Sequence, residues 1–250
     1  MSELHRVMHN TVKPFVPSPF RSMRSRRRIS KFNRLMAGRP TSEIFDSIYS
    51  KRMWGFGPVA GKYSSGSGSY EPRALEMYIA AISRFVESLT IRPDAVDLGC
   101  GDFFVGSKLR PLFNRYIAGD IVAGLIARNR EEYKSLDVDF RIINIAEDDL
   151  PPGDVVFVRQ VLQHLSNDEI ARALDRIQAT YPQLVLTEHL PLKDDFIPNI
   201  DIQTGPHIRL TVKSGLDITK EPFEVAIASA VVLCEVTLET SRIRTTLYNF

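Results

Sequence analysis

"AVDLGCGDFFVGSKL", residues 95–109, places a glycine-rich turn directly after a short apolar run. Gly99 and Gly101 lie one residue apart, with Asp97 before them and Asp102 after, a pattern that marks backbone brought close to a ligand. In a doubly wound sheet, ligands bind beyond the carboxyl ends of the strands, and the turn after the first strand must admit them. A dinucleotide fingerprint would carry a third glycine where this chain has Phe104, whose side chain obstructs close contact between helix and strand. Nicotinamide and flavin cofactors are thereby disfavoured. A tight turn that holds no ligand is the plainer alternative for the two glycines.

Outward from this turn, short apolar runs alternate with longer helical ones. Strands are predicted at residues 95–98, 115–118, 139–143, 155–158 and 184–187, separated by helices near 105–112, 123–133 and 167–180. Such alternation implies a doubly wound, mostly parallel α/β sheet with helices on both faces. Ser166 and Glu169 form a capping box ahead of Ile170, Leu174 and Ile177. The last stretch, "ASAVVLCEVTLETSRIRTTLYNF", reads as two β-rich runs around a polar turn, a C-terminal antiparallel hairpin that closes a seven-stranded sheet.

Towards the N-terminus the chain divides into three regions: a basic arm (1–40), a helix with a Gly/Ser-rich lid segment (41–70) and the main domain (71–250). Ile44, Phe45, Ile48 and Tyr49 recur at helical spacing, with Thr41 or Ser42 as the start signal and Gly55 as the stop. "GKYSSGSGSYEP" follows, a linker or, given Trp54, Phe56, Tyr63 and Tyr70 around it, a lid over a ligand. Beyond Pro72, Leu75, Tyr78, Ile79, Ile82, Phe85, Val86 and Leu89 share one helical face.

Charge is uneven. Residues 1–42 carry ten Lys/Arg against Glu3 alone, which leaves 22 basic against 29 acidic side chains in the remainder. An arm so rich in Arg, Ser and Pro, without hydrophobic periodicity, is expected to be disordered in isolation. It is a solvated tail, a contact for an anionic partner such as nucleic acid or lipid headgroups, or an organelle-targeting segment.

With 250 residues, 44% hydrophobic and 25% charged, the chain can bury the core of one soluble domain. Its longest uncharged apolar run, "VAIASAVVLC", is half of what a membrane-spanning helix needs. Cys100 and Cys234 sit in apolar surroundings and form neither a disulfide framework nor a metal site, so a reducing, cytoplasmic setting is expected and no metal.

The order and spacing of these elements from about Tyr70 onward resemble the class I methyltransferases that use S-adenosylmethionine, a Rossmann-like family, and in particular its bacterial small-molecule and sugar branch. The resemblance assigns Asp97, Gly99, Cys100 and Gly101 to the methionine part of the cofactor. It assigns Asp120, in "YIAGDI", to the ribose, with Ile121 beside it; a carboxylate there accepts two hydroxyls, although an N-cap role is the alternative. "IINIAEDDLP" resembles the adenine turn, with Asn144 where an Asp is common and Ile145 as an apolar wall. "GDVVFVRQVLQHLSNDEI" resembles the fourth strand and its loop, which brings Arg159 and Gln160 to the cofactor.

A sulfonium methyl donor is already activated, so the protein has to align a nucleophile and exclude water, and removes a proton only from a hydroxyl or a protonated amine. Candidates for the base are His164, Glu188 and His189, although each could instead satisfy buried backbone or bind substrate. The Asn/Asp-Pro-Pro-aromatic motif of the family's amine-directed nucleic-acid enzymes is replaced here by "VRQVLQ". The resulting expectation is methyl transfer to an oxygen or nitrogen of a small molecule or sugar. The alternative is a methyltransferase-like protein without turnover that docks through its basic arm.

Overall fold

The computed structural model describes residues 19–55 and 63–250. The chain contains helices α1 (Pro19–Met36), α2 (Thr41–Ser50) and α3 (Pro72–Glu87), then β1 (Ala95–Leu98), α4 (Phe104–Leu109), β2 (Tyr116–Asp120), α5 (Ala123–Glu132), β3 (Asp139–Ile142), β4 (Val155–Arg159), α6 (Asn167–Thr180), β5 (Gln183–Leu190), β6 (Ser229–Thr237) and β7 (Arg242–Asn249). Two compact units are distinguished, one ending at Ala37 and one from Gly38 to Phe250.

In the larger unit the seven strands form one sheet in the order β3-β2-β1-β4-β5-β7-β6. The first five are parallel, while β7 runs antiparallel to both β5 and β6. Every residue of β1 and β2, and the first four of β4, are buried, because helices cover both faces of central parallel strands. The chain adds β2 and β3 on one side of β1 and then returns to place β4 on the other. That reversal opens a crevice beyond the carboxyl ends of β1 and β4.

Packing at the start of α4 fixes the turn after β1. Phe103 adopts a left-handed conformation (φ 59°) and its fully buried ring meets Phe140, Tyr133 and Tyr116 edge-on at 4.8, 5.1 and 5.7 Å. The glycine that allows helix and strand to touch is Gly106: a Cβ there would lie 2.3 Å from the Phe103 ring and 3.1 Å from Asp97 Oδ2. Close contact is therefore not blocked at Phe104, as the fingerprint comparison suggests, but moved two residues along the chain. Phe104 itself meets Tyr70, at 5.5 Å.

The capping box at α6 is present: Ser166 Oγ accepts from the Glu169 amide, and Glu169 accepts from the Ser166 amide. Ile170, Ala173, Leu174 and Ile177 form its buried face. Helix α2, by contrast, begins after Pro40 without a side-chain cap. Thr41 donates its hydroxyl to Glu169 Oε1 at 2.6 Å instead.

Two other expectations are corrected. Strand β5 continues three residues past Thr187, because β7 pairs with it in unbroken register from Gln183↔Asn249 to Leu190↔Arg242. Residues 19–36, expected to lack regular structure, form α1. Pro19 suits a first helical position, Arg, Lys, Met and Leu favour helix, and Ile29, Phe32 and Met36 recur at helical spacing. The remainder of the arm, residues 1–18, and residues 56–62 of the lid segment lie outside the described residues. No described helix is long and apolar enough to cross a membrane.

Candidate active site

The crevice is lined by the turn after β1, the ends of β2 and β4, the segment after β3, and α2 with the turn that follows it. The turn is anchored to β2 by the Gly99 and Cys100 amides, which both donate to the Gly119 carbonyl at 2.8 and 2.9 Å. Gly99 (φ 76°) and Gly101 (φ 56°) hold left-handed backbone. A Cβ on Gly99 would lie 2.3 Å from Val161 Cγ2, and one on Gly101 would lie 2.2 Å from Ser65 Oγ. Both glycines thus admit neighbouring protein, the turn after β4 and the lid segment, as well as leaving the crevice open.

All ten residues that the resemblance assigns to the cofactor line this one crevice: Asp97, Gly99, Cys100, Gly101, Asp120, Ile121, Asn144, Ile145, Arg159 and Gln160. The Asp97 carboxyl, on β1, accepts from the Tyr116 hydroxyl at 3.2 Å. Burial pushes it up to about 7, against the downward pull of that hydrogen bond and of Arg159. Asp120, at the end of β2, accepts from the Gly101 amide at 3.1 Å and the Val122 amide at 3.0 Å. Even with those bonds, burial raises it to about 6.

Arg159 stacks on the Tyr78 ring at 5.1 Å, and its Nε is buried without a partner. Gln160 occupies a left-handed conformation (φ 57°), with its amide on the Thr187 carbonyl and its Oε1 accepting from Ser69 Oγ at 3.2 Å. Asn144 turns its Oδ1 back onto the Ala146 amide at 3.0 Å, which leaves that oxygen one lone pair for a ligand.

Three contacts that tie the lid segment to the turn were not visible to motif reasoning. The Asp102 amide donates to Ser65 Oγ at 2.9 Å, the Ser65 amide donates to Asp102 Oδ2 at 3.4 Å, and the Tyr70 hydroxyl donates to the same carboxylate oxygen. Burial, with the Asp102 charge beside it, pushes the Tyr70 phenol up to about 12. The only sequence signal was an acid directly after Gly101 and hydroxyl side chains 32 to 37 residues upstream. Tyr63 packs elsewhere, with its ring on Tyr49 at 5.6 Å.

Of the three candidate bases, only His164 lines the crevice. Its Nδ1 lies 3.0 Å from the His207 carbonyl, so that nitrogen carries the proton and Nε2 carries the lone pair. Burial lowers His164 to about 4, which keeps the ring neutral near pH 7. Glu188 and His189 are displaced from the crevice because the extended β5 holds them within the sheet, opposite Arg244 and Ile243. Glu188 is buried, and burial raises it to about 8 while Arg209 and the amides of Gln163 and Leu162 pull it down. His189 contacts the Gln160 side chain at 3.4 Å, and burial lowers it to about 4.

Arg209 is the functional neighbour that sequence reading passed over. Its buried guanidinium donates to the carbonyls of Leu162 and Leu165 at 3.0 Å and to Asn167 Oδ1 at 2.6 Å, bracing the loop that carries His164.

Residues 96–180, from β1 to the end of α6, match the family model described as a methyltransferase domain. The chain has the class I methyltransferase fold. The fold comparison agrees with it. The N-methyltransferase NodS from Bradyrhizobium japonicum WM9, in complex with S-adenosyl-L-homocysteine, superposes with a TM-score of 0.54 over 74% of this chain and 92% of that one, at 15% identity. Magnesium protoporphyrin IX methyltransferase (ChlM) from Synechocystis PCC 6803, with bound SAM, gives 0.54 over 86% and 99%, at 14% identity. WbdD gives 0.51 over 71% of this chain and 40% of that one, at 18% identity. No curated protein matches the chain by sequence. The methyltransferase match holds all ten residues assigned to the cofactor, while α2, Trp54 and the lid segment lie before it.

Proposed function

We propose that the protein transfers the methyl group of S-adenosylmethionine to an oxygen or nitrogen of a small molecule or sugar. The observation that carries this reading is the Asp97 carboxyl, buried at the switch point beside the glycine turn and short of compensating donors. Arg159 offsets only part of that burial, and the ammonium of the donor's methionine part supplies a further cation. When bound, the donor supplies an electrophilic methyl on a sulfonium centre. This chain's own residues do the rest: Asp120 accepts the ribose hydroxyls, Ile121 and Ile145 flank the base, Ser65 and Tyr70 close the lid segment onto Asp102, and His164 Nε2 receives a proton where the acceptor has one to lose.

Calorimetric titration of S-adenosylmethionine into the purified protein tests this. Micromolar binding that falls at least tenfold in Asp120→Asn, a variant that keeps the side chain's shape, supports the reading. Absence of heat from a folded protein at several temperatures overturns it.

The exposed row Arg27, Lys31 and Arg34 on α1, with no acidic residue in that helix, supports a second element: a contact for an anionic partner. Binding of a labelled oligonucleotide that weakens steeply with salt, and is lost when the three are replaced by Ser, is the expected result.

A further inference from the structure

We propose that the acceptor is a planar aromatic hydroxyl compound rather than a sugar, held in a pouch walled by Phe45, Tyr49, Trp54 and His164. The proposal rests on the methyl-transfer reading above. All four side chains line one end of the crevice, where Trp54 packs against Phe45, Tyr49 and His164 at ring centroid distances of 6.0, 5.2 and 4.9 Å. Its indole nitrogen donates to the Pro206 carbonyl at 2.9 Å, which fixes the ring plane. The pouch is continuous with the cofactor end of the crevice through Tyr49, whose hydroxyl lies 3.7 Å from where a Cβ on Gly101 would stand.

The polar groups at this end decide between acceptors. Thr41 and one Glu169 oxygen are paired with each other, and the second Glu169 oxygen accepts from Ser166 and Thr204. The Trp54 nitrogen and His164 Nδ1 are bonded to carbonyls of the 206–207 segment. The Tyr49 hydroxyl is hydrogen-bonded to Ser65, and what remains on these residues is His164 Nε2, which has only the Gln163 amide at a marginal 3.5 Å. A sugar brings several hydroxyls that would leave water and find no partner, whereas a flat ring bearing one hydroxyl stacks on aromatic walls and needs one acceptor.

The step balances. The phenolic oxygen forms the new bond to the methyl carbon as the carbon–sulfur bond breaks, the bonding pair stays on sulfur, and the phenolic proton passes to His164 Nε2 and thence to water.

Trp54 is the sole tryptophan of the chain, so its fluorescence reports on the pouch directly. With S-adenosylmethionine present, p-cresol and 2-naphthol are titrated against glucose and methylamine, and transfer of a labelled methyl group is followed in parallel. Saturable change and methylated product with the phenols, and neither with glucose or methylamine, is the expected result. Phe45→Ala should weaken phenol binding at least tenfold while leaving S-adenosylmethionine affinity within twofold; if that variant unfolds, Phe45→Leu is read for the same split. His164→Gln should keep phenol binding but lower transfer at least a hundredfold. Donor binding with methyl transfer to glucose or methylamine, or with no response to either phenol, overturns the aromatic assignment and leaves methyl transfer standing. No donor binding removes both.

Discussion

Replacing Asp97 with Asn should make the empty protein more stable while weakening its hold on the methyl donor. Raising a carboxyl from its ordinary 3.8 to about 7 by burial costs the folded state ~4 kcal/mol once the group is ionised. The sign is that of an acid with a raised value: below pH 3.8 the cost is absent, and it grows as pH rises to 7, where the folded state retains a proton that the unfolded chain has already lost. Asn cannot ionise and still accepts from the Tyr116 hydroxyl. The stability difference between Asp97→Asn and wild type should therefore widen by ~3 kcal/mol between pH 5 and pH 8, read from urea unfolding in low-salt buffer. Saturating S-adenosylmethionine should stabilise the wild type at pH 8 and the variant far less, because the ammonium compensates only a carboxylate. Parallel pH dependences in the two proteins would refute the claim that this carboxyl is held ionised at a cost.

Gly99→Ala places a Cβ at φ 76° within 2.3 Å of Val161, and Gly106→Ala drives one into the Phe103 ring. Each should cost ~2 kcal/mol or more in urea unfolding, and losses below ~0.5 kcal/mol would remove the packing argument for the turn. With the donor saturating, so that Asp97 and Asp120 are both held ionised, kcat should show no limb near pH 6.5. Burial keeps His164 at about 4, so loss of rate through its protonation belongs near that pH. A midpoint near 6.5 would assign the proton to another group.

Local signals were sufficient for most of the architecture. The apolar runs at 95–98 and 155–158 coincide with β1 and β4 to within a residue, and the Ser166/Glu169 box marks the start of α6. The capping box is a contact between residues three apart, and the central strands are continuous apolar runs, so both leave a pattern that a single sequence carries. The ten residues assigned to the cofactor meet in one crevice because each lies near the carboxyl end of a strand or in the turn that follows it, and the alternating topology brings those ends together.

Other features depended on segments far apart in the chain. Whether Glu188 and His189 stood in a loop or in a strand was decided by β7, some 55 residues later, which lengthened β5 through hydrogen bonds that no periodicity in "VLTEHLP" records. The Asp102–Ser65–Tyr70 tie, the bracing of the His164 loop by Arg209 and the contacts of Trp54 with His164 and Pro206 likewise join residues 32 to 152 positions apart. Sequence by itself determined most of the elements from residue 41 onward, their order and the residue types gathered at the strand ends, because those follow from side-chain periodicity and turn preferences acting over a few residues. Only the tertiary structure decided which histidine faces the crevice and what closes over it, because long-range pairing and burial set those positions and leave no local trace.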